Sequence, residues 1–447
     1  MSYIPNTDSD REKMLKDIGV DKFEDLLKSI PQVLKSDIKL SLPKELSELE
    51  IEKEISQITT KNSSIEKVSS FLGGGVYNHF IPKVVDYIIS RPEFATAYTP
   101  YQAEVSQGTL QAMYEFQTMI SELTQMDVTN ASMYDGATAM AESAMMAKNI
   151  TRKNKIIVSE TVNPNYIKVL ETYCEPLNIE LIKIKSKNFV TDIDEIKKIL
   201  DKDVAGVIMQ SPNFFGYIEE MEKVSEILQD TKALFIASVD AISLALLKPP
   251  GSYDADIVIG EGQMLGNHLN FGGPYLGLFS TRKKYIRKMP GRIVGATKDS
   301  NGKDGFVLTL QTREQHIRRE KATSNICSNE GLNAMATTIY LSLMGNSGMK
   351  KIANLCLQKS HYLFENIQKI DGFSKVTDKP FFKEFVIKTP IPAKEIIEKA
   401  NRENIFAGIP LDKFYASKTH ELLIAVTEKN SKKEIDEFLD FLSRIHE

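Results

Sequence analysis

The chain has 447 residues, of which 42% are hydrophobic and 26% charged, and its formal net charge is −4. That length allows two domains, or one large domain with an appendage, and the acidic balance argues against a nucleic-acid surface, which needs a concentrated basic patch. Three widely separated cysteines, Cys174, Cys327 and Cys356, form no CxxC pair and argue against a disulfide framework or a metal site.

The N-terminal stretch has no apolar leader core, and no segment approaches the roughly 18 uninterrupted apolar residues of a membrane span. A soluble cytoplasmic protein is expected, with no membrane and no nucleic acid among its partners. Residues 1–68 read as a polar helical arm, with Ser9 or Asp10 capping a first helix that runs through Met14, Leu15 and Ile18 toward Gly19. Leu46, Leu49, Ile51, Ile55 and Ile58 give a second helical pattern among charges.

A large domain is expected over 69–330. It opens on a Gly cluster joined to Tyr77 and His79. Spacing alone favours a turn with a partly buried tyrosine and a hydrogen-bonded histidine over a ligand role. Pro100 makes a helix through Thr99 unfavourable, because the residue before proline is driven out of the α region. Gln107-Gly108 then leads into an amphipathic helix through Leu110, Met113, Phe116 and Gln117. Asp135-Gly136-Ala137-Thr138 precedes an Ala/Met-rich helix. Small residues there let backbone N–H groups approach an anion, and an N-capped core helix explains them equally well.

Alternating strand and helix patterns follow, with strands expected at 155–159, 179–184, 204–210, 234–239 and 257–259. This alternation predicts a largely parallel α/β sheet. Ser211-Pro212-Asn213 ends one strand and Asp240 another, so polar groups collect at the strand C-termini, where open α/β sheets bind ligands. Residues 287–330 read as a loop with a Gly/Asn/Asp turn and a charged segment. Its basic cluster, with Arg313, His316 and Arg318, and the following Thr323-Ser324-Asn325 are anion-binding residue types. A helix from Ala334 to Met344, broken by Gly345, leads into a small C-terminal α/β domain over 331–447. That domain is expected to hold strands at 384–387 and 422–426, a helix from near Pro392 and a terminal helix over 431–446.

Five segments carry a resemblance to a known family: FLGGGVYNHFIP (71–82), AYTPYQAEVSQGTLQ (97–111), MYDGATAMAE (133–142), MPGRIVG (289–295) and LQTREQHIRREKATSNIC (310–327). Each is long and unusual in composition. The chain resembles the P-proteins of the glycine cleavage system, and within them the α subunit that corresponds to the N-terminal half of the long single-chain form. The resemblance spans essentially the whole chain. It implies the fold type I of pyridoxal-phosphate-dependent transferases: a large domain with a mainly parallel seven-stranded sheet, a smaller C-terminal α/β domain and a helical N-terminal arm.

It also implies that pyridoxal phosphate is held by the β subunit, on a lysine within a segment reading roughly ADVCHLNLHK. Laid beside ADIVIGEGQM (255–264), that lysine falls on Met264, and a thioether forms no Schiff base. Asp240 and the turn Asp135, Gly136, Ala137 and Thr138 then look like remnants of a cofactor site. No residue of this chain alone is expected to be catalytic. Tyr98, Thr99, Tyr101, Gln102, Thr323, Ser324 and Asn325 are expected to reach the β subunit's pocket. Arg313, His316 and Arg318 are candidates for interface salt bridges, for the glycine carboxylate or for the carrier.

The implied reaction belongs to an α2β2 complex: glycine loses CO2 and its aminomethyl group passes to the lipoamide of H-protein. Two alternatives stand beside this reading. One is a stand-alone pyridoxal-phosphate enzyme with its lysine elsewhere, although Lys248 and Lys283-Lys284 do not sit where the family places the Schiff base; the other is a purely structural or regulatory subunit.

Overall fold

The computed structural model describes residues 6–34, 41–97, 100–270 and 272–445. Two compact units divide the chain, residues 1–63 and 64–447.

The first unit holds α1 (Asp8–Ile18) and α2 (Glu48–Thr59). Both open on a capping box, in which a hydroxyl accepts the N3 amide while the N3 acid accepts the N-cap amide. The cap of α1 is Thr7 with Asp10 at N3, rather than Ser9 or Asp10 as the cap itself. Thr7 takes the role because the acid three residues on closes the reciprocal pair. Ser47 and Glu50 do the same for α2.

The second unit is built on a seven-stranded sheet. In chain order its elements include α3 (Lys83–Ile89), α4 (Gln107–Thr124), β1 (Val128–Thr129), α5 (Gly136–Thr151), β2 (Lys155–Ser159), α6 (Pro164–Cys174), β3 (Glu180–Ile184), α7 (Ile193–Ile199), β4 (Val204–Ser211), α8 (Met221–Leu228), β5 (Leu234–Asp240), β6 (Ile257–Glu261) and β7 (Gly277–Thr281). The strand order is β1-β7-β6-β5-β4-β2-β3. The run from β3 to β6 is parallel, while β7 pairs antiparallel with both β6 and β1. Buried on both faces, β4, β5 and β6 read as continuous apolar runs, which is why periodicity found them. The antiparallel β7 was not expected. Its sequence, GLFST, is fully buried but follows a Gly-rich loop that masks where pairing resumes.

Segment 287–330 is not the plain loop expected. It contains a hairpin of β8 (Ile293–Lys298) and β9 (Asp304–Thr309) around the Gly/Asn turn. These strands are only half-buried, so no apolar run announces them. The helix breaks at Gly345 as expected: that residue takes a non-helical φ of 54° and ψ of −171°, and a second helical stretch follows it directly, the two together spanning α9 (Gly331–Ile367). Beyond it, β10 (Ser374–Lys375), β11 (Glu384–Lys388), β12 (Ile409–Pro410) and β13 (Glu421–Ala425) form an antiparallel sheet ordered β10-β11-β13-β12. It carries α10 (Ala393–Arg402) and α11 (Lys432–Ser443). Among the described residues no helix is long and apolar enough to cross a membrane.

Candidate functional site

Parallel β5 and β6 end side by side, with Asp240 opposite Glu261 in the register. Two acids are thus delivered to the C-terminal edge of the sheet. Each finds a different partner.

Asp240 Oδ1 accepts the N–H groups of Ile242 at 2.9 Å and Ser243 at 3.1 Å. Its Oδ2 lies 2.7 Å from the ammonium of Lys383, whose side chain is 2% exposed. Lys383 arrives from the residue before β11. It stands 3.6 Å over the Tyr77 ring, 3.1 Å from His79 Nε2 and 3.9 Å from the Met264 sulfur. His79 in turn places Nδ1 2.7 Å from Glu428 Oε2, and the Phe80 N–H donates to Glu428 Oε1 at 2.6 Å. Burial, and then the neighbouring Lys383 charge, hold the His79 imidazole below its ordinary pKa. A neutral ring fits the chain of bonds: it accepts from Lys383 through Nε2 and donates to Glu428 through Nδ1-H. The ligand atoms of His79, Cys356 and Glu428 lie within 4.8 Å of one another. That trio works here as a hydrogen-bonded network, because an ammonium beside the imidazole opposes any second cation.

Glu261 turns the other way, toward the N-terminus of α5. Its Oε2 accepts the Gly136 N–H at 3.0 Å, and its Oε1 accepts those of Gln263 and Leu276, each at 3.0 Å. Burial pushes this carboxyl up to about 7. Asp135 caps the same helix: Oδ1 accepts the Thr138 N–H at 2.7 Å, and Thr138 Oγ1 answers by accepting the Asp135 N–H at 3.1 Å. The Tyr77 hydroxyl donates to Glu384 Oε2 at 2.5 Å, while the Gly74 N–H donates to Oε1 at 2.6 Å. Glu384 is also pushed up to about 7, by burial first. Gly216 sits at φ 92° against this strand, where a Cβ would lie 2.0 Å from the Glu384 carbonyl oxygen. The space left among these groups is about 30 Å³.

The other sequence-predicted residues lie apart from this cluster. Tyr98 and Thr99 are outside the described residues. The Tyr101 hydroxyl is 2.8 Å from Ser328 Oγ and donates to Asn329 Oδ1 at 2.7 Å, and the Arg292 guanidinium stacks 3.6 Å over its ring. Gln102 is exposed. Thr323, Ser324 and Asn325 border a surface concavity of about 560 Å³ beside α5 and α6.

Arg313 does not face outward with its neighbours. It is 8% exposed and donates to the carbonyls of Leu310, Met289 and Gly291. Two of these carbonyls, Met289 and Gly291, belong to the turn in which Gly291 takes φ 72°. His316 is exposed, 3.6 Å from Glu314, and Arg318 donates to the Thr312 carbonyl. His79 is the hydrogen-bonded histidine that spacing favoured, and Tyr77, at 6% exposed, is more deeply buried than expected. Sequence reasoning missed Glu261, Lys383 and Glu384. Glu261 had a readable signal, the same apolar run ending at an acid that marked Asp240.

The family model for the glycine cleavage system P-protein matches residues 1–442. The chain belongs to that family. A probable glycine dehydrogenase (decarboxylating) subunit 1 of Chloroherpeton thalassium is 49% identical over 445 residues, covering 100% of both chains. A crystal structure of glycine decarboxylase (P-protein) of the glycine cleavage system, in inhibitor-bound form, superimposes with a TM-score of 0.92 at 38% identity, again over 100% of each chain. A sphingosine-1-phosphate lyase of Burkholderia pseudomallei shares the fold at 11% identity, with a TM-score of 0.67 over 93% of this chain and 94% of its own. The P-protein fold here is thus the fold type I of pyridoxal-phosphate-dependent transferases, as expected from the resemblance.

Proposed function

We propose that this chain is the α subunit of a glycine decarboxylase, which acts with a cofactor-bearing β subunit and holds no pyridoxal phosphate itself. The full-length likeness to a glycine dehydrogenase subunit 1 carries the reaction. Glycine is decarboxylated, CO2 leaves, and the aminomethyl group passes to the lipoyl arm of H-protein.

The contents of the pocket speak against a resident cofactor. Met264 stands where the family's Schiff-base lysine aligns, and its thioether cannot condense with an aldehyde. Asp240 is already paired with Lys383, and about 30 Å³ remains, room for a few waters and not for a pyridine ring with its phosphate. Lys248, Lys283 and Lys284 do not line this pocket, which weakens the stand-alone reading.

In the assembled enzyme the pyridoxal phosphate of the β subunit supplies the electron sink for carboxylate loss. This chain's part is to complete the partner's pocket and exclude water. Tyr98, Thr99, Tyr101, Gln102, Thr323, Ser324 and Asn325 are the residues assigned to that task. His316 and Arg318, both exposed, are the side chains of this cluster placed to meet the acidic carrier or the β subunit. Arg313 instead holds the loop that presents them. The assembly is proposed as α2β2, and the free cysteines Cys174, Cys327 and Cys356 fit a reducing cytoplasm.

Glycine–bicarbonate exchange tests this, measured with this chain alone, with its β partner alone and with both, always with pyridoxal phosphate and H-protein present. Activity only in the mixture is expected. Activity in this chain alone would refute the assignment.

A further inference from the structure

We propose that Lys383 and Glu261 stand in permanently for the two charged ends of a cofactor, so that this pocket is a closed internal charge network that takes no phosphorylated ligand. This inference rests on the reading that the chain carries no cofactor of its own, and supplies its physical cause.

Two features of a pyridoxal-phosphate site are general. An acid pairs with the cationic ring nitrogen, and a helix N-terminus with free N–H groups receives the phosphate. Both features are present here, and both are filled from within the chain. The acid at the end of β5, Asp240, receives a cation, but it is the Lys383 ammonium at 2.7 Å. The N-terminus of α5 receives an anion, but it is the Glu261 carboxylate, 3.0 Å from the Gly136 N–H. The Asp135 side chain takes the Thr138 N–H of the same turn, so another donor a phosphate would want is spent.

The charge count points the same way. A single ammonium stands among the acid groups of Asp240, Glu261 and Glu384 in the pocket lining, so a dianionic phosphate would meet acids rather than cations on most sides. Lys383 is held in place by more than its ion pair. The Tyr77 ring lies below it, and His79 Nε2 accepts from it. It also joins the C-terminal sheet to the edge of the seven-stranded one, and the adjacent Glu384 does the same through Tyr77 and Gly74. The network therefore serves as a fixed clamp between the two sheets as well as a plug.

The test uses the full-length chain and its Lys383→Ala variant. Wild type is titrated with pyridoxal phosphate, followed by near-ultraviolet and visible absorption and by borohydride reduction. The variant is melted with and without millimolar ethylammonium, and with ethanol as the neutral control of similar size. Wild type should show neither a bound chromophore nor a reduced adduct. The variant should melt lower by about 5 °C or more, and ethylammonium but not ethanol should restore part of the loss in a saturable way.

If the alanine variant does not fold, Lys383→Met keeps the volume. Its stability should fall below that of wild type, because Asp240 is then left buried with no counter-charge at 2.7 Å. An inert wild type with no amine-specific rescue, or with a methionine variant as stable as wild type, overturns the inference alone. Chromophore bound to wild type overturns the cofactor-free reading as well. A reduced adduct on Lys383 overturns both, because that amine would then be a Schiff-base group rather than a counter-ion.

Discussion

Replacing Glu384 by Gln should remove a large part of the pH dependence of stability. Glu384 is buried, and burial lifts its carboxyl from 4.5 to about 7, with Asp240 adding to the rise and Tyr77, Gly74 and Lys383 opposing it. An acid whose pKa is raised in the fold contributes stability that is full below its unfolded value of 4.5 and is lost as pH climbs through about 7. Complete ionisation therefore costs about 3 kcal/mol, at roughly 1.4 kcal/mol for each tenfold change in proton affinity. Glutamine copies the protonated form: its oxygen can accept the Gly74 N–H, and its amide can donate to the Tyr77 hydroxyl. Urea unfolding of both proteins at about pH 5 and pH 8 measures the effect. Wild type should lose about 3 kcal/mol more than the variant between the two conditions. Glu261, also raised to about 7, leaves a residual slope in both. Identical pH slopes would refute the argument, as would an equal loss of stability at both pH values.

Gly216→Ala should destabilise by about 3 kcal/mol or more, because a Cβ would sit 2.0 Å from the Glu384 carbonyl oxygen on a backbone with φ 92°; the denaturation midpoint reads this out. Arg313→Met strips a buried guanidinium from three carbonyls and should cost about 1–3 kcal/mol. Faster amide exchange across 289–325 would localise the loss. Tyr101→Phe breaks bonds to Ser328 and Asn329, and Thr323→Ala removes a hydroxyl from the concavity beside α5. In the reconstituted complex each should lower glycine–bicarbonate exchange about tenfold, one hydrogen bond's worth, with assembly intact by gel filtration. Unchanged exchange would make this chain a scaffold.

Most of the large sheet could be read in advance because its strands are buried on both faces. Val204–Ser211, Leu234–Asp240 and Ile257–Glu261 are nearly unbroken apolar runs, and their ends mark the sheet edge. The half-buried hairpin over 293–309 gives no such run and passed for loop. Asp240 was legible as an acid closing an apolar strand. Its partner was not, since a lysine beside a glutamate at the start of a short strand reads as a solvated end. Only the approach of the C-terminal sheet, seen in the 2.7 Å contact, reveals Lys383 as buried. Arg313 misled in the opposite sense. A basic residue among basic residues suggests anion binding, yet the carbonyls of the Gly291 turn claim it.

The bonds that close the pocket have a consequence for how the protein is made. Tyr77 meets Glu384 across 307 positions, and His79 meets Glu428 across 349. The ribosome must therefore deliver nearly the whole chain before the 71–82 segment can find its partners, and long-range closures of this kind are slow. Until then His79, Asp240 and the Gly-rich turn wait exposed beside a sheet whose own strands lie close together in sequence. Pulse-labelled nascent chains halted before residue 428 should have a protected sheet and an open 71–82 segment. The order of assembly, sheet first and seal last, sets when this subunit is ready to meet another chain.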